Sequence, residues 1–287
     1  MSAINGHTKL VGVIGWPVEH TVSPAMHNAA FDAAGLNWRY VPLRVHPERV
    51  VEAVRGLRAL GFVGCNVTVP HKRAIMGSMD EITDQARAIG AVNTITIQSD
   101  GRMVGHNTDA DGFLRALADG DLDPKGKQAL VIGAGGAGRA VAYALASSGA
   151  AVTILNRTLS RAESLVADLI SFFPRADAEA RPYSPASLRQ EAQSADLLVN
   201  ATPLGMWPQV DRSPWPDEVP MLPSLTVFDV VYNPPETKLM RQARSAGAQA
   251  IGGLGMLVRQ GATAWELWTG QEAPVEVMAA AAKAALN

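Results

Sequence analysis

At 287 residues, with 47% hydrophobic and 18% charged residues, the chain is long enough for two domains with separate cores and too apolar for long disorder. A net charge of −2 without a long basic run excludes a nucleic-acid groove and favours small metabolites as partners. Cys65 is the single cysteine, which excludes an intramolecular disulfide and any cysteine-rich zinc site. The start of the chain, 1–9, is polar, and no uncharged apolar run of 18 residues follows, so a cytoplasmic location is expected. The Asn-x-Thr triplets at Asn66, Asn156 and Asn200 carry no meaning without export.

In chain order, 9–14 reads as a buried strand ending in Gly15-Trp16-Pro17. Ser23 then suits a helix N-cap and Pro24 a first helical residue, with the helix running through Ala34. A strand over 38–45, a helix over 47–60 stopped by Gly61 and a strand over 62–69 complete a βαβαβ alternation. Helices are expected over 70–77 and 80–89, then strands over 91–98 and 103–106 around the hairpin signal Ser99-Asp100-Gly101-Arg102. A helix over 109–117 leads into the polar stretch 119–127, which marks a domain boundary. Beyond it lie a strand over 128–132, a helix over 137–148 and a strand over 151–155. Strands at 178–182, 195–200 and 226–231 follow, with helices between. The segment 207–223, with five prolines, is expected to be an irregular surface loop. Helices over 256–269 and 274–286 close the chain and are expected to pack back on the first domain.

The stretch Gly133-Ala134-Gly135-Gly136-Ala137-Gly138 contains G-x-G-x-x-G between a strand and a helix, the context this pattern requires. Gly133 suits the tight turn, Gly135 the close approach of backbone to a pyrophosphate, and Gly138 the packing of helix on strand. An NAD site would carry an acid after the next strand, to bind the ribose 2′-hydroxyl. This chain has Asn156-Arg157-Thr158 there, with Arg161 one helical turn on, so the cofactor reads as NADP. The plain alternative is a glycine-rich turn that binds nothing, with both arginines solvated.

Three polar sets lie at strand ends of the first half: Thr68 with Lys72, Asn93 with Thr94, and Asn107-Thr108-Asp109. In open α/β sheets ligands bind outside the carboxyl ends of strands, and a lysine with an aspartate can move a proton while NADPH handles the hydride. Taken singly, Asn93 and Asn107 equally suit turns, Asp109 a helix cap and Lys72 a solvated first turn, so both readings stay open. Thr21 and Ser23, before a helix start, suit a carboxylate or simple capping. The histidines show no metal-ligand spacing, and no metal is expected.

Together these residues resemble the shikimate dehydrogenase family, NADP-dependent enzymes of aromatic amino-acid biosynthesis that reduce 3-dehydroshikimate to shikimate. The resemblance rests on nine stretches in the family's order: His20-Thr21-Val22-Ser23-Pro24 with His27-Asn28, Asn66 to Lys72, Gly90 to Thr94, Asn107 to Asp109, Gly133 to Ala137, Asn156 to Arg161, Asn200 to Met206, Asp229 to Pro234, and Gly253 to Gly261. It implies an α/β fold, an N-terminal substrate domain completed by C-terminal helices and an inserted Rossmann-type NADP-binding domain, with divisions at 1–109, 110–253 and 254–287. It implies that Lys72 and Asp109 are catalytic, that Thr21, Ser23 and Tyr232 hold the substrate carboxylate, and that Thr68, Asn93 and Gln260 bind ring hydroxyls. Gly133, Ala134, Gly135, Gly136 and Ala137 would bind the pyrophosphate, and Asn156, Arg157, Thr158 and Arg161 the 2′-phosphate. Thr202, Val230 and Gly253 would lie near the nicotinamide, with Asp84 facing the cofactor. The implied partner is a small-molecule substrate, without nucleic acid or membrane, and the assembly a monomer or homodimer.

This chain departs from the family in having Thr21 where serine is usual, a methyl that narrows the clamp and leaves quinate or aminoshikimate as alternative substrates. His71, at a variable family position, is assigned no role. A rival of another class, a non-catalytic NADP-sensing protein, would have no need of both Lys72 and Asp109. The pattern of methylenetetrahydrofolate dehydrogenase, which has a similar two-domain plan, is not found.

Overall fold

The computed structural model describes residues 4–286; residues 1–3 of the polar start, and 287, lie outside the described residues. The chain separates into two compact units, Met1–Gly112 with Val258–Asn287, and Phe113–Leu257.

The first unit is built from β1 (Lys9–Gly15), α1 (Ser23–Ala33), β2 (Trp38–Arg44), α2 (Val50–Ala59), β3 (Gly64–Val67), β4 (Glu81–Ile82), α3 (Asp84–Ile89), β5 (Thr94–Ile97) and β6 (Met103–His106), and α4 (Asp109–Asp119) begins in it. Its sheet runs β2-β1-β3-β5-β6-β4. The first three strands are parallel, and β1 and β3 carry the nearly continuous apolar runs that a strand covered on both faces requires. The hairpin strand β5 runs antiparallel to both β3 and β6. As a result the carboxyl ends of β3 and β6 meet the amino end of β5 on one edge of the sheet. The core gathers Val54, Phe62, Cys65, Ile75, Val92 and Ile95, with Val50, Val54 and Leu57 forming the buried face of α2.

Three expectations are corrected in this unit. Residues 70–77 form turns with a 3-10 segment, Met76–Ser78, in place of a helix. The carbonyl of Lys72 accepts from Val92 N–H at 2.8 Å, which ties this segment to the chain before β5, and Met76 N–H turns to Arg73 at 3.3 Å. Residues 81–82 pair with β6 as a short strand, so helix α3 starts only after Thr83, whose hydroxyl caps it by accepting from Ala86 N–H at 3.3 Å. The N-cap of α1 is Val22 rather than Ser23, which stands with Pro24 inside the first turn.

The second unit contains β7 (Gln128–Ile132), α5 (Gly136–Ser147), β8 (Ala151–Asn156), α6 (Leu159–Phe172), β9 (Ala178–Pro182), α7 (Pro185–Glu191), β10 (Leu197–Asn200), β11 (Thr226–Asp229), α8 (Lys238–Ser245) and β12 (Gln249–Gly252). All six strands are parallel, in the order β12-β11-β10-β7-β8-β9. This is a Rossmann-type sheet, with its topological switch between β7 and β10. The proline-rich loop has no helix or strand, but it is not wholly a surface feature. Trp215 is buried in the core, its ring N–H donating to Val219 O at 2.8 Å, because an indole ring of that size gains more from burial than a loop loses.

Helices α9 (Leu254–Thr269) and α10 (Val275–Ala284) end the chain, and residues from 258 onward belong to the first unit. Trp265 lies 6.0 Å from Phe31 of α1, ring to ring, and Trp268 Nε1 donates to Ile95 O at 3.0 Å. That indole fills the space beside Gly64 so completely that a β-carbon there would overlap it and the Ile95 carbonyl. Gly64→Ala should therefore destabilise the protein by roughly 1 to 3 kcal/mol, as overpacked cores do. Urea unfolding measures this, and an unchanged midpoint would show that Trp268 is not a fixed wall.

Candidate active site

The sheet edge where β3, β5 and β6 meet brings Lys72, Asn93, Asp109 and Gln260 together. Lys72 Nζ donates to Asp109 Oδ2 at 2.5 Å, with the two side chains 15% and 7% exposed. A pair removed from water to this degree needs further hydrogen bonds. Asn93 Nδ2 supplies one to Asp109 Oδ1 at 2.8 Å, and also reaches Thr108 Oγ1 at 3.0 Å. Asp109 opens α4, and its own N–H is held by Asn107 Oδ1 at 3.0 Å, while Asn107 Nδ2 donates to Ala91 O at 2.9 Å. Gln260 Oε1, from α9, lies 3.4 Å from Asn93 Nδ2 and 3.3 Å from Thr108 Oγ1.

The remaining candidates of this unit lie at the same sheet edge without being drawn into that cluster. Thr68 follows β3, its N–H donating to Ile14 O at 2.9 Å. Thr21 and Ser23 lie between β1 and the first turn of α1, with Ser23 N–H donating to Thr21 Oγ1 at 3.3 Å. Asp84 is the first residue of α3. Tyr232, half-buried, belongs to the second unit. His71 is buried, and its Nε2 lies 2.9 Å from Val45 O; a carbonyl only accepts, so Nε2 carries the proton. Burial holds its pKa below the usual histidine value, and the ring anchors the turn that carries Lys72. Among the described residues no cluster of three His, Cys, Asp or Glu could hold a metal ion, and no helix is long and apolar enough to cross a membrane.

In the second unit every polar candidate stands at the carboxyl edge of the parallel sheet. Gly133, at φ +110°, turns the chain off β7, its N–H donating to Leu155 O at 2.8 Å. Gly138 packs so tightly on Gly133 O that a β-carbon would overlap it, which fixes the start of α5 against the turn. Gly135, by contrast, faces open space, and the first N–H groups of α5 have no acceptor within the helix. Ala134 N–H donates to Asn156 Oδ1 at 3.3 Å, joining the glycine turn to the end of β8. Arg157, Thr158 and Arg161 are exposed, and both arginines lack an ion pair among the described residues. An open glycine cradle, a helix N-terminus and two uncommitted guanidinium groups fit a dinucleotide bearing a 2′-phosphate.

Thr202, Val230 and Gly253 follow β10, β11 and β12, and the loops bearing Thr202 and Val230 are tied together by a buried carboxylate that sequence reasoning left without a role. Asp229 is fully buried and accepts from Asn200 Nδ2 at 2.9 Å, Val231 N–H at 3.1 Å and Thr237 Oγ1 at 2.6 Å. Asn200 Oδ1 in turn accepts from Thr202 N–H at 3.0 Å and Thr202 Oγ1 at 2.7 Å. The available signal was an acid ending the apolar strand Thr226-Val227-Phe228, since a charge there must find partners; Thr237, eight residues on, gave no such signal.

Burial raises the pKa of Asp229 to about 6, against the three hydrogen bonds that favour its ionised form. The folded protein therefore binds a proton more tightly here than the unfolded chain, which releases it near pH 4. This group's contribution is complete below about pH 4 and is lost as pH rises through about 6, on the order of 3 kcal/mol in all. Unfolding of the protein and of Asp229→Asn should thus diverge between pH 4 and pH 6, the variant gaining relative stability as pH rises; parallel curves would contradict the shift.

Comparison with known proteins matches residues 13–95 to the shikimate dehydrogenase substrate-binding domain, 116–204 to shikimate/quinate 5-dehydrogenase and 253–283 to the shikimate 5′-dehydrogenase C-terminal domain. The chain is 50% identical over 278 residues to shikimate dehydrogenase (NADP(+)) of Methanopyrus kandleri, covering 96% of this chain and 95% of that one. A shikimate dehydrogenase solved in complex with NADP+ aligns with a TM-score of 0.91 at 42% identity, over 100% of this chain and 98% of that one. The Thermus thermophilus shikimate 5-dehydrogenase, in complex with NADP(H) and shikimate, aligns with a TM-score of 0.85 at 39% identity, over 97% of this chain and 100% of that one.

Proposed function

The chain belongs to the shikimate dehydrogenase family, and we propose that it catalyses the reversible, NADP-dependent interconversion of 3-dehydroshikimate and shikimate with Lys72 and Asp109 as its proton-transfer pair. The observation that carries this reading is the 2.5 Å bond between two nearly buried ionic groups whose only evident use, at a sheet edge, is chemistry. The reaction serves aromatic amino-acid biosynthesis, acts on a small-molecule substrate, and is assigned to the cytoplasm, with the enzyme a monomer or homodimer.

Shikimate loses a hydride and a proton when its ring hydroxyl becomes a carbonyl. Bound NADP supplies the hydride acceptor, and NADPH the donor for the reverse direction. In its neutral amine form Lys72 takes the hydroxyl proton, and Asp109, polarised by Asn93, holds the ammonium group so formed in place. In reduction Lys72 returns the proton to the carbonyl oxygen. Thr21, Ser23 and Tyr232 donate to the substrate carboxylate, and Thr68, Asn93 and Gln260 bind ring hydroxyls. Because Asn93 already donates to Asp109 and Thr108, a bound hydroxyl shares or displaces the longer of these contacts.

On the cofactor side Gly133, Ala134, Gly135, Gly136 and Ala137 hold the pyrophosphate, and Asn156, Arg157, Thr158 and Arg161 the 2′-phosphate. Thr202, Val230 and Gly253 are assigned to the nicotinamide end, and Asp84 is assigned to face the cofactor. The division of labour follows 1–109 and 254–287 for substrate and 110–253 for cofactor. Support for a working enzyme over a cofactor sensor lies in the Lys72–Asp109 pair, which a sensor would have no reason to bury.

Lys72→Ala should lower kcat by about 10²- to 10⁴-fold with a much smaller change in KM, the signature of a group acting in the transition state. Steady-state kinetics with shikimate and NADP+ decides it: a steep rise in KM at nearly unchanged kcat would make Lys72 a binding group only. Arg157→Ala should reduce kcat/KM for NADP+ by roughly 10-fold or more, since a charged hydrogen bond is worth about 1.5 to 3 kcal/mol, while leaving NAD+ nearly unaffected. Equal losses with both cofactors would remove Arg157 from the 2′-phosphate site.

A further inference from the structure

Behind Asn93 the first unit buries further polar side chains that the acid/base reading alone does not explain. Tyr40 is 2% exposed, Asn66 7% and Thr94 0%. Buried polar groups in such a place need a full set of partners, and here the direction of each hydrogen bond follows from the one before.

The N–H of Thr108 can only donate, and it points at Asn93 Oδ1 at 2.8 Å. On the other side, the Asp109 carboxylate accepts from Asn93 Nδ2 at 2.8 Å. These two contacts fix which end of the Asn93 amide faces which way. Thr94 Oγ1 lies 3.0 Å from Asn93 Oδ1, which cannot donate, and 3.3 Å from Thr108 Oγ1, and the shorter contact takes the Thr94 proton. Its own oxygen is then left to accept, and Asn66 Nδ2 donates to it at 3.0 Å. This turns Asn66 Oδ1 toward Tyr40, whose hydroxyl donates at 2.8 Å. The Tyr40 ring is seated by stacking on His27, with centroids 4.4 Å apart and planes within 4°. His27 is itself fully buried, and neither ring nitrogen has a partner among the described residues, so its contribution to that seat is packing.

We propose that Tyr40, Asn66 and Thr94 are positioning residues for proton transfer: a one-way series of donors that ends on Asn93 Oδ1, beside the Thr108 N–H, and so polarises the amide whose N–H serves Asp109. The inference rests on the acid/base reading of Lys72 and Asp109. Without the Tyr40 hydroxyl, Asn66 Oδ1 loses its buried donor, and the Asn66 amide can turn over at the expense of the 3.4 Å contact of its Nδ2 with Asn93 O. Thr94 can then donate to Asn66 in place of Asn93, and Asn93 loses one of the bonds that polarise it. Asp109 holds Lys72 less tightly in the geometry that the transition state needs, while the carboxylate clamp of Thr21 and Ser23 is untouched.

The test is a set of substitutions in the full-length enzyme, assayed for kcat and KM with shikimate and NADP+ after a thermal melt to establish folding. Tyr40→Phe keeps the stacked ring and removes only the hydroxyl; Thr94→Val removes the relay hydroxyl and Thr94→Ser restores it. Each of Tyr40→Phe and Thr94→Val should lower kcat by about 3- to 10-fold, the range of one neutral hydrogen bond, with a smaller change in KM, and Thr94→Ser should stay within about 2-fold of the unsubstituted enzyme. In an Asp109→Asn background the same Tyr40→Phe change should cost less than about 2-fold, because the group it serves is gone. Equal costs in both backgrounds, or an unchanged kcat in Tyr40→Phe, would overturn this inference while leaving the acid/base pair standing. An unchanged kcat in Asp109→Asn would overturn both. If Tyr40→Phe does not fold, the contrast between Thr94→Val and Thr94→Ser decides: loss with the first and retention with the second supports the series, and equal activity in the two overturns it.

Discussion

Placing an ammonium and a carboxylate together in a nearly dry site costs several kcal/mol per ion, recovered only if the geometry is close and the remaining lone pairs are filled. The Lys72–Asp109 pair meets both conditions, and much of the first unit is arranged around it. The reversal of direction at β5 matters because it lets the amino end of one strand, carrying Asn93, stand beside the carboxyl ends of two others. A purely parallel sheet would have put Asn93 at the opposite edge. The start of α4 then places Asp109 where the helix N-terminus also favours negative charge.

The second unit solves the opposite problem, since it must receive charge rather than neutralise its own. Its glycine turn, the N-terminus of α5 and the exposed Arg157 and Arg161 leave donors open toward solvent. An anion can be held there with little reorganisation. Beside that open surface lies the closed network of Asp229, Asn200 and Thr237, in which every oxygen has a donor. The contrast is functional. In this unit the open donors gather at the glycine turn, and the fully partnered polar atoms tie together the loops that follow β10 and β11.

Packing supplies the rigidity that such sites require. Trp265 and Trp268, from the end of the chain, close over the sheet of the first unit, and Gln260 on the same helix reaches Asn93 and Thr108. One helix therefore contributes both to the core and to the edge where the ionic pair sits. A helix anchored by two large buried rings positions a side chain better than a loop does.

The sequence by itself determined the alternation of strands and helices, the glycine turn and the preference for a 2′-phosphate. Each of these depends on residues close together in the chain, where periodicity and turn chemistry act locally. It left Asn93, Asn107 and Asp109 balanced between turn formers and site residues, because either use asks for the same residue types. Only the tertiary structure brought them to one edge, through pairings between strands that no local pattern encodes. Residues 70–77 became turns for the same reason: a bond from Val92 holds the Lys72 carbonyl, and no sequence window contains both. Tyr40 and Thr237 gave no signal at all. Their partners, Asn66 and Asp229, lie 26 and 8 residues away, and a hydroxyl's role is set by which buried acceptor the fold brings to it.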